Sequence, residues 1–134
     1  MQSLTFTKTQ YQKMITHVDS HIPFEACGLL AGHNSKVEAV LEVPNQAQSE
    51  VRFVMDPIEQ LNAFEWINAN GMELIGIFHS HPTGPETVSQ TDISEAAYAV
   101  AQVILARADD SHLWSVRCFW IEDGIYNEIE VEIC

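Results

Sequence analysis

Two histidines one residue apart, His79 and His81, are the first residues whose type and spacing suggest chemistry. They end the apolar stretch ELIGIFHSH, which has the length and composition of a buried strand. Alternate residues of a strand project to the same face, so the two imidazoles are expected side by side. One metal ion needs this arrangement from two of its ligands. The pair is therefore either a metal site at the end of a strand or two ordinary surface or core histidines, and the pair alone does not decide between them.

A catalytic zinc site keeps three protein ligands and leaves a fourth position to water, so a third ligand is required. Asp92 is the leading candidate, because the loop from Pro82 to Val88 can fold the following helix back toward the strand end. Glu86, within that loop, is the rival. The segment SQTD also has the form of a capping box, in which Ser89 and Asp92 stabilise the first turn of a helix. The two interpretations are compatible, since a ligand carboxylate is commonly oriented by a further hydrogen bond.

Hydrolysis at such a metal also needs a base that takes the proton of the attacking water. Glu25 stands beside ACGLLAG, an apolar run of the kind that forms a buried strand. The acid is either the solvated end of that strand or a carboxylate held for chemistry. Cys27 lies two residues further on, on the same face, where its thiol is either a core residue or a redox-sensitive group close to the metal.

The elements that must position these residues alternate between strands and helices. Strands are predicted at LTFT, ACGLLAG, VEAVLEV, VRFVM, ELIGIFHSH, AVAQVILARA, WSVRCFWIED and IYNEIEVEI. ACGLLAG and VEAVLEV form a hairpin through HNSK, and a turn near Asp123 and Gly124 joins the last two strands. This order predicts an α/β or α+β fold with a sheet flanked by helices.

Three helices are predicted between the strands. The first follows Thr7 as N-cap, the second begins at Asp56 and Pro57 and ends at Asn70 and Gly71, and the third runs from Ser89 through QTDISEAAY. Apolar residues at helical spacing mark the buried sides of the first two: Tyr11, Met14, Ile15 and Val18 in one, and Ile58, Leu61, Phe64 and Ile67 in the other.

Composition narrows the class of protein further. The 134 residues are enough for one compact domain, and with 19 acidic against 6 basic residues the net charge is −13, which disfavours nucleic acid as a partner. No apolar run reaches the roughly 18 residues that span a membrane, and no signal peptide is evident, so a cytoplasmic protein without membrane association is expected.

Three cysteines without a C-x-x-C pair predict buried thiols rather than disulfides or a cysteine-rich zinc site. Trp114, in the polar segment DDSHLW, is most simply a core or flank aromatic residue, with an exposed partner contact as the alternative.

EACGLLAG together with HSHPTGPETVSQTD resembles the JAMM (MPN-plus) metallopeptidase family, of the small stand-alone prokaryotic type. The resemblance implies Zn²⁺ bound by His79, His81 and Asp92, with Glu25 as general base and acid and Ser89 stabilising the oxyanion. The departure within the motif is Val88, where the family usually has a proline. Over the chain, the resemblance implies a single JAMM/MPN-like domain, residues 1–134, with a curved mixed β-sheet flanked by helices.

The same resemblance implies hydrolysis of a peptide or isopeptide bond after the C-terminal glycines of a ubiquitin-like or sulfur-carrier protein. The glycine-rich tail is expected to reach the metal between the His79 strand and the TGPETV loop, by strand addition. A homodimer is compatible with the sequence. A non-catalytic MPN scaffold is the alternative, disfavoured because such relatives usually lack a ligand, and a metal-binding regulator without hydrolytic activity is a third hypothesis.

Overall fold

Seven strands and three helices make up the part of the chain that the computed structural model describes, residues 1–96, 98–107 and 113–134. In chain order they are β1 Ser3–Phe6, α1 Lys8–Asp19, β2 Cys27–His33, β3 Lys36–Val43, α2 Pro57–Ala69, β4 Glu73–His81, α3 Gln90–Glu95, β5 Ala101–Ala106, β6 Ser115–Glu122 and β7 Ile125–Ile133. The predicted α/β fold with a curved mixed sheet and flanking helices is confirmed.

The sheet has the order β1-β3-β2-β4-β5-β6-β7 and closes into a barrel. Most neighbouring strands are antiparallel, whereas β5 runs parallel to β4, and β1 runs parallel to both β7 and β3. Closure rests on one pair, Thr5 with Lys36, supported by the hydrogen bond from the Thr5 N–H to the Ser35 carbonyl (2.8 Å). β4, which ends in the two histidines, lies between β2 and β5 in this order.

The two longer helices pack against opposite faces of the sheet. Met14 and Val18 of α1 join a core with Leu30 of β2 and Phe78 of β4. Ile67 of α2 packs instead with the alternate residues of the same two strands: Cys27, Leu29, Ala31 and Ile77. This alternation fixes which side chains of β2 and β4 face the cavity described below. None of the helices in the described ranges is long and apolar enough to cross a membrane.

Several predicted elements agree with the structure. The β2–β3 hairpin pairs Cys27 with Val43 at its open end, and its turn holds Asn34 at φ +57°. Asp56 caps α2 by accepting from the N–H groups of Ile58 and Glu59 (both 3.0 Å). Asn70 and Gly71 end that helix, and Asp123 and Gly124 make the β6–β7 turn with positive φ.

Three predictions about elements are wrong. VRFVM is not a strand: apart from a single bridge between Met55 and Asn45, the segment is a loop. The apolar face assigned to α2 is also wrong, because Ile58 and Leu61 are 71% and 56% exposed. Each residue of a helix turns by about 100°, so a step of three residues falls about 60° short of a full turn. Over the three steps from Ile58 to Ile67 the shortfall reaches about 180°, and the two residues lie on opposite sides of the helix.

The third correction concerns the third helix. α3 ends at Glu95, short of the predicted Tyr98, and the following strand is Ala101–Ala106; Ala97 and Ala108 lie outside the described residues. For Trp114 the core interpretation agrees with the structure, because the side chain packs against the core and its indole N–H donates to Asp19 Oδ1 (3.0 Å).

Candidate metal centre and active site

The two histidines end β4 with their rings toward each other. His79 and His81 are 1% and 4% exposed, and their Nε2 atoms are 3.0 Å apart. His81 Nδ1 lies 2.7 Å from the Pro85 carbonyl, so this nitrogen donates and Nε2 remains free to act as a ligand. The ring of Phe53 stacks on that of His79, with centroids 4.5 Å apart. Contacts on both imidazoles thus hold their Nε2 atoms in one place.

Asp92 brings its carboxylate to both imidazoles from the first turn of α3. Oδ1 is 2.9 Å from His79 Nε2, and Oδ2 is 3.2 Å from His81 Nε2. The predicted capping box is also present: Ser89 Oγ accepts from the Asp92 N–H (3.1 Å), and Asp92 Oδ2 accepts from the Ser89 N–H (2.8 Å). One carboxylate therefore caps the helix and faces the histidines. Glu86, the rival ligand, is exposed and outside this cluster.

The donor set fits zinc. Bonds of about 2.0–2.1 Å in a tetrahedral shell place ligand atoms roughly 3.3 Å from each other. The two Nε2 atoms are 3.0 Å apart, and each lies close to one Asp92 oxygen, His79 Nε2 at 2.9 Å from Oδ1 and His81 Nε2 at 3.2 Å from Oδ2. Two imidazole nitrogens and one carboxylate oxygen are a common ligand set for catalytic zinc, which leaves a fourth position to water.

Charge and burial oppose each other within this cluster. Burial favours a neutral Asp92, but hydrogen bonds from His79 and His81 outweigh it and hold the pKa of the carboxyl well below its usual range. Burial lowers the pKa of His79, because its fully enclosed ring loses hydration in the charged form. For His81 the same burial effect is outweighed by its bonds to Asp92 and Pro85, so its pKa is raised. An ionised carboxylate and a neutral His79 are the forms that bind a metal.

Glu25 lies two residues before Cys27, where β2 begins, and is 4% exposed. Together with His79 and Asp92 it lines a single cavity. Burial raises the pKa of its carboxyl to about 8; the charge of His81 acts in the opposite direction, and the charge of Asp92 adds a smaller increase. A buried carboxyl with a pKa near neutrality is suited to accept and release a proton.

The cavity beside these residues has a volume of about 200 Å³. One wall is residues 51–55, the other is formed by residues of α3 and Tyr98, and the inner end is formed by Ile77 and Gln102. No residue of the TGPETV loop lines this cavity, and the approach of a tail between the His79 strand and that loop stays a prediction. Ser89 is outside the lining as well, one turn from Asp92 on the capping side.

Sequence reasoning missed three residues that support the site. Ser80 Oγ accepts from the Ala26 N–H (2.8 Å) and thereby fixes the start of β2 against β4. Phe53 carries the stacking contact to His79, and Asn45 connects the loop that carries Phe53 to Glu25. The sequence marks Asn45 only as a residue type that is common in turns. The partners of its side chain lie up to 20 residues away, so no local pattern indicates them.

Cys27 is a core thiol. Its sulfur is fully buried and donates to the Val43 carbonyl (3.3 Å). Burial, with a smaller contribution from the charge of Glu25, raises the pKa of the thiol to about 12. The structure thus favours the core alternative over a redox-sensitive group. Cys118 is buried as predicted, whereas the prediction of a buried thiol is wrong for Cys134.

The family model for prokaryotic homologs of the JAB domain matches residues 7–121. The chain belongs to this family. The JAB-domain protein is 35% identical over 109 residues to a probable TtuB-protein conjugate cleaving protease of Thermus thermophilus, across 81% of this chain and 69% of the relative. It is 39% identical over 83 residues to a desampylase of Pyrococcus furiosus, across 62% and 59% of the two chains. A CysO-cysteine peptidase of Mycobacterium tuberculosis is 29% identical over 122 residues, across 90% and 84%.

Solved structures show the same relationship for this JAB-domain protein. A solution structure of a Desulfitobacterium hafniense protein superimposes with a TM-score of 0.88 at 34% identity, over 98% of this chain and 92% of the other. A structure described as a JAMM metalloprotease-like zinc site in the proteasome and signalosome gives a TM-score of 0.63 at 17% identity, over 98% and 97%. The second likeness shows the shared fold.

Proposed function

We propose that this protein is a zinc-dependent peptidase that hydrolyses the peptide or isopeptide bond after the C-terminal glycines of a ubiquitin-like or sulfur-carrier protein. One observation carries the proposal: His79, His81 and Asp92 meet in one cluster, and two of them, His79 and Asp92, line a cavity together with the buried Glu25. The names of the relatives support the substrate class, since they include proteases of TtuB conjugates and a CysO-cysteine peptidase.

In this proposal His79, His81 and Asp92 hold the ion. When bound, zinc supplies a coordinated water with a pKa near 7 and polarises the carbonyl of the scissile bond. The carboxylate of Glu25 takes the proton of the attacking water and later delivers it to the nitrogen of the leaving amine. Burial of Glu25 favours this exchange, because its carboxyl is easily protonated near neutral pH.

Ser89 is assigned to the oxyanion of the tetrahedral intermediate. Its oxygen accepts from the Asp92 N–H, so the hydroxyl proton remains available for a substrate oxygen. A donor aimed at developing negative charge in a site shielded from water lowers the barrier directly. The capping bond would hold the hydroxyl in place while it does so.

The cavity restricts what can approach the site. Its volume of about 200 Å³ is below the roughly 300 Å³ at which small-molecule pockets begin, so it accommodates a few small residues rather than a folded surface. A glycine tail suits such a passage, because it carries no side chain that would collide with Phe53 or Tyr98 before the carbonyl reaches the ligands. The folded body of the carrier would remain outside.

The test is cleavage of carrier fusions by the zinc-loaded protein, followed by intact mass. Carriers that end in Gly-Gly receive a C-terminal peptide, and in two further series the glycines are replaced by alanine and by valine. We expect cleavage directly after the second glycine, less with alanine and none with valine. Equal cleavage of the three series would refute the narrow passage. If zinc binds but no fusion is cleaved, the scaffold alternative is favoured.

The cytoplasmic location, the homodimer and the single domain over residues 1–134 stay predictions. Gel filtration with light scattering would settle the oligomeric state.

A further inference from the structure

One side chain organises the loop between β3 and α2. Asn45 Oδ1 accepts from the N–H groups of Ala47 (3.0 Å) and Val54 (2.9 Å). Asn45 Nδ2 donates to the carbonyls of Arg52 (3.1 Å) and Glu25 (2.9 Å). Three of these bonds lie within the loop, and those to Arg52 and Val54 bring its two ends together. The fourth reaches Glu25, two residues before the start of β2.

The loop binds both the backbone N–H and the backbone carbonyl of Glu25. The Glu25 N–H donates to the Ser49 carbonyl (2.8 Å), and the Glu25 carbonyl accepts from Asn45. β4 fixes the next residue, since the Ala26 N–H donates to Ser80 Oγ and the Ala26 carbonyl accepts from the Ser80 N–H. Glu25 therefore depends on the loop for its backbone position, whereas Ala26 depends on the strand that carries the histidines.

The loop also forms one wall of the cavity. Val51 to Met55 line it, and Phe53 stacks on His79. The Val54 N–H and the Arg52 carbonyl, both bound by Asn45, lie on either side of Phe53. The same carboxamide thus controls two parts of the site at once.

We propose that Asn45 is a positioning residue that sets Glu25 against the metal ligands and holds residues 51–55 as the substrate-facing wall. The effect of Asn45 on catalysis rests on the proposed function. Its effect on the position of Glu25 does not, and can be measured separately. Loss of the bond would displace Glu25 relative to the reacting atoms and let the wall move away from the bound tail.

Only a carboxamide can make these four bonds. The two carbonyls need a donor and the two N–H groups need an acceptor, and asparagine presents both on one short side chain. Asn45→Asp keeps the shape and the acceptor but places an oxygen against the carbonyls of Glu25 and Arg52. This substitution therefore isolates the two donated bonds.

The experiment compares Asn45→Asp with Asn70→Asp as a matched control. Asn70 Nδ2 also donates to a backbone carbonyl, that of Trp66 (2.8 Å), but at the far end of α2. Asn45→Ser is the second variant, because its shorter side chain does not reach Glu25 and introduces no charge. For each protein, amide hydrogen exchange, zinc content, thermal unfolding, kcat and KM for a Gly-Gly carrier fusion are measured.

We expect faster exchange at the Glu25 amide in both Asn45 variants but not in Asn70→Asp. Per zinc-loaded molecule, kcat should fall about 10- to 100-fold, the usual cost of losing a supporting contact in an active site, and KM should rise. A merely structural role would lower the folded fraction and the unfolding temperature but leave kcat and KM per zinc-loaded molecule unchanged.

Unchanged exchange at Glu25 would overturn the proposal, as would wild-type kcat and KM per zinc-loaded molecule. If the wild-type protein cleaves no fusion, the proposed function fails, and the exchange data still decide whether Asn45 holds Glu25. If Asn45→Asp does not fold, Asn45→Ser supplies the same comparison.

Discussion

Glu25 acquires its proposed role from its surroundings rather than from its residue type alone. Burial raises the pKa of the carboxyl, since the charged form loses its hydration. A cation bound by the neighbouring ligands would favour the ionised form again. The carboxyl can therefore carry a proton or release it according to the charge beside it.

The first prediction separates this carboxyl from the metal ligands. Glu25→Gln keeps the volume of the side chain but removes the base, so zinc should remain bound while kcat falls by roughly 10² to 10⁴, the usual share of general acid and base catalysis. Zinc content and turnover are measured on the same sample. Wild-type turnover in this variant would rule out the assignment of Glu25.

The second prediction concerns Ser89, which is both a helix cap and the proposed oxyanion donor. Thr7→Ala is its matched control, because Thr7 caps α1 in the same capping-box geometry. Both alanine variants should lose about 1 kcal/mol of unfolding free energy. Ser89→Ala alone should also lose on the order of 10² in kcat. If the two variants retain equal activity, Ser89 is only a cap.

At the scale of elements, the site depends on how closely β2 and β4 approach each other. Gly28 pairs with Phe78, one residue before His79, and a Cβ at position 28 would collide with the ring of Phe78 and with the Leu41 carbonyl. Phe78 is fully buried and has no room to withdraw. Glycine is therefore required there to keep Cys27 opposite His79.

The third prediction follows from this contact. Gly28→Ala should destabilise the protein by about 1–3 kcal/mol, the range for overpacking a filled core. Gly76→Ala is the control, since the nearest atom to its Cβ would be Leu30 Cδ1 at 3.0 Å, a much milder contact than the closer ones with the Phe78 ring and the Leu41 carbonyl at position 28. Chemical denaturation measures both. An equal or larger loss in Gly76→Ala would contradict the account of the strand contact.

Local signals account for the elements that the sequence predicts correctly. The β2–β3 hairpin, the caps of α2 and α3, and the apolar strand before His79 each depend on residues close together in the chain. The prediction of a strand for VRFVM is wrong because the side chain of Asn45 sets the conformation of this segment. Asn45 lies seven and nine residues from its partners Arg52 and Val54, too far to affect the alternation of apolar residues within VRFVM. The closure of the sheet by Thr5 and Lys36 is equally distant in sequence and leaves no periodic pattern.

The site itself was more predictable than the fold around it. The spacing of His79, His81 and Asp92 is characteristic enough to predict that they meet, and the structure brings them together. The position of the cavity could not be predicted from the sequence, because its walls come from the loop that carries Phe53 and from the segment around Tyr98. No pattern within either segment relates it to the other.

Across the whole molecule, the net charge of −13 sets the conditions of encounter with a partner. Long-range attraction would speed the approach of a carrier with a basic face, and salt would weaken it. The fourth prediction is that kcat/KM for such a fusion falls several-fold between low and physiological ionic strength. The control is the same carrier with its basic residues replaced by glutamine, whose kcat/KM should be lower at low salt and less sensitive to salt. If kcat/KM of the two fusions depends equally on salt, long-range charge attraction does not contribute to association.

The most direct measurement of the central claim is anomalous diffraction at the zinc edge from crystals of the zinc-loaded protein. We predict one strong peak per chain, about 2.0–2.2 Å from His79 Nε2, His81 Nε2 and a carboxylate oxygen of Asp92. This peak should be absent from His81→Ala and retained in His33→Ala, where the histidine bonds to Glu38 and Gly71 on the surface. A zinc-loaded crystal with no peak at these three side chains, or with its peak elsewhere, would contradict the account.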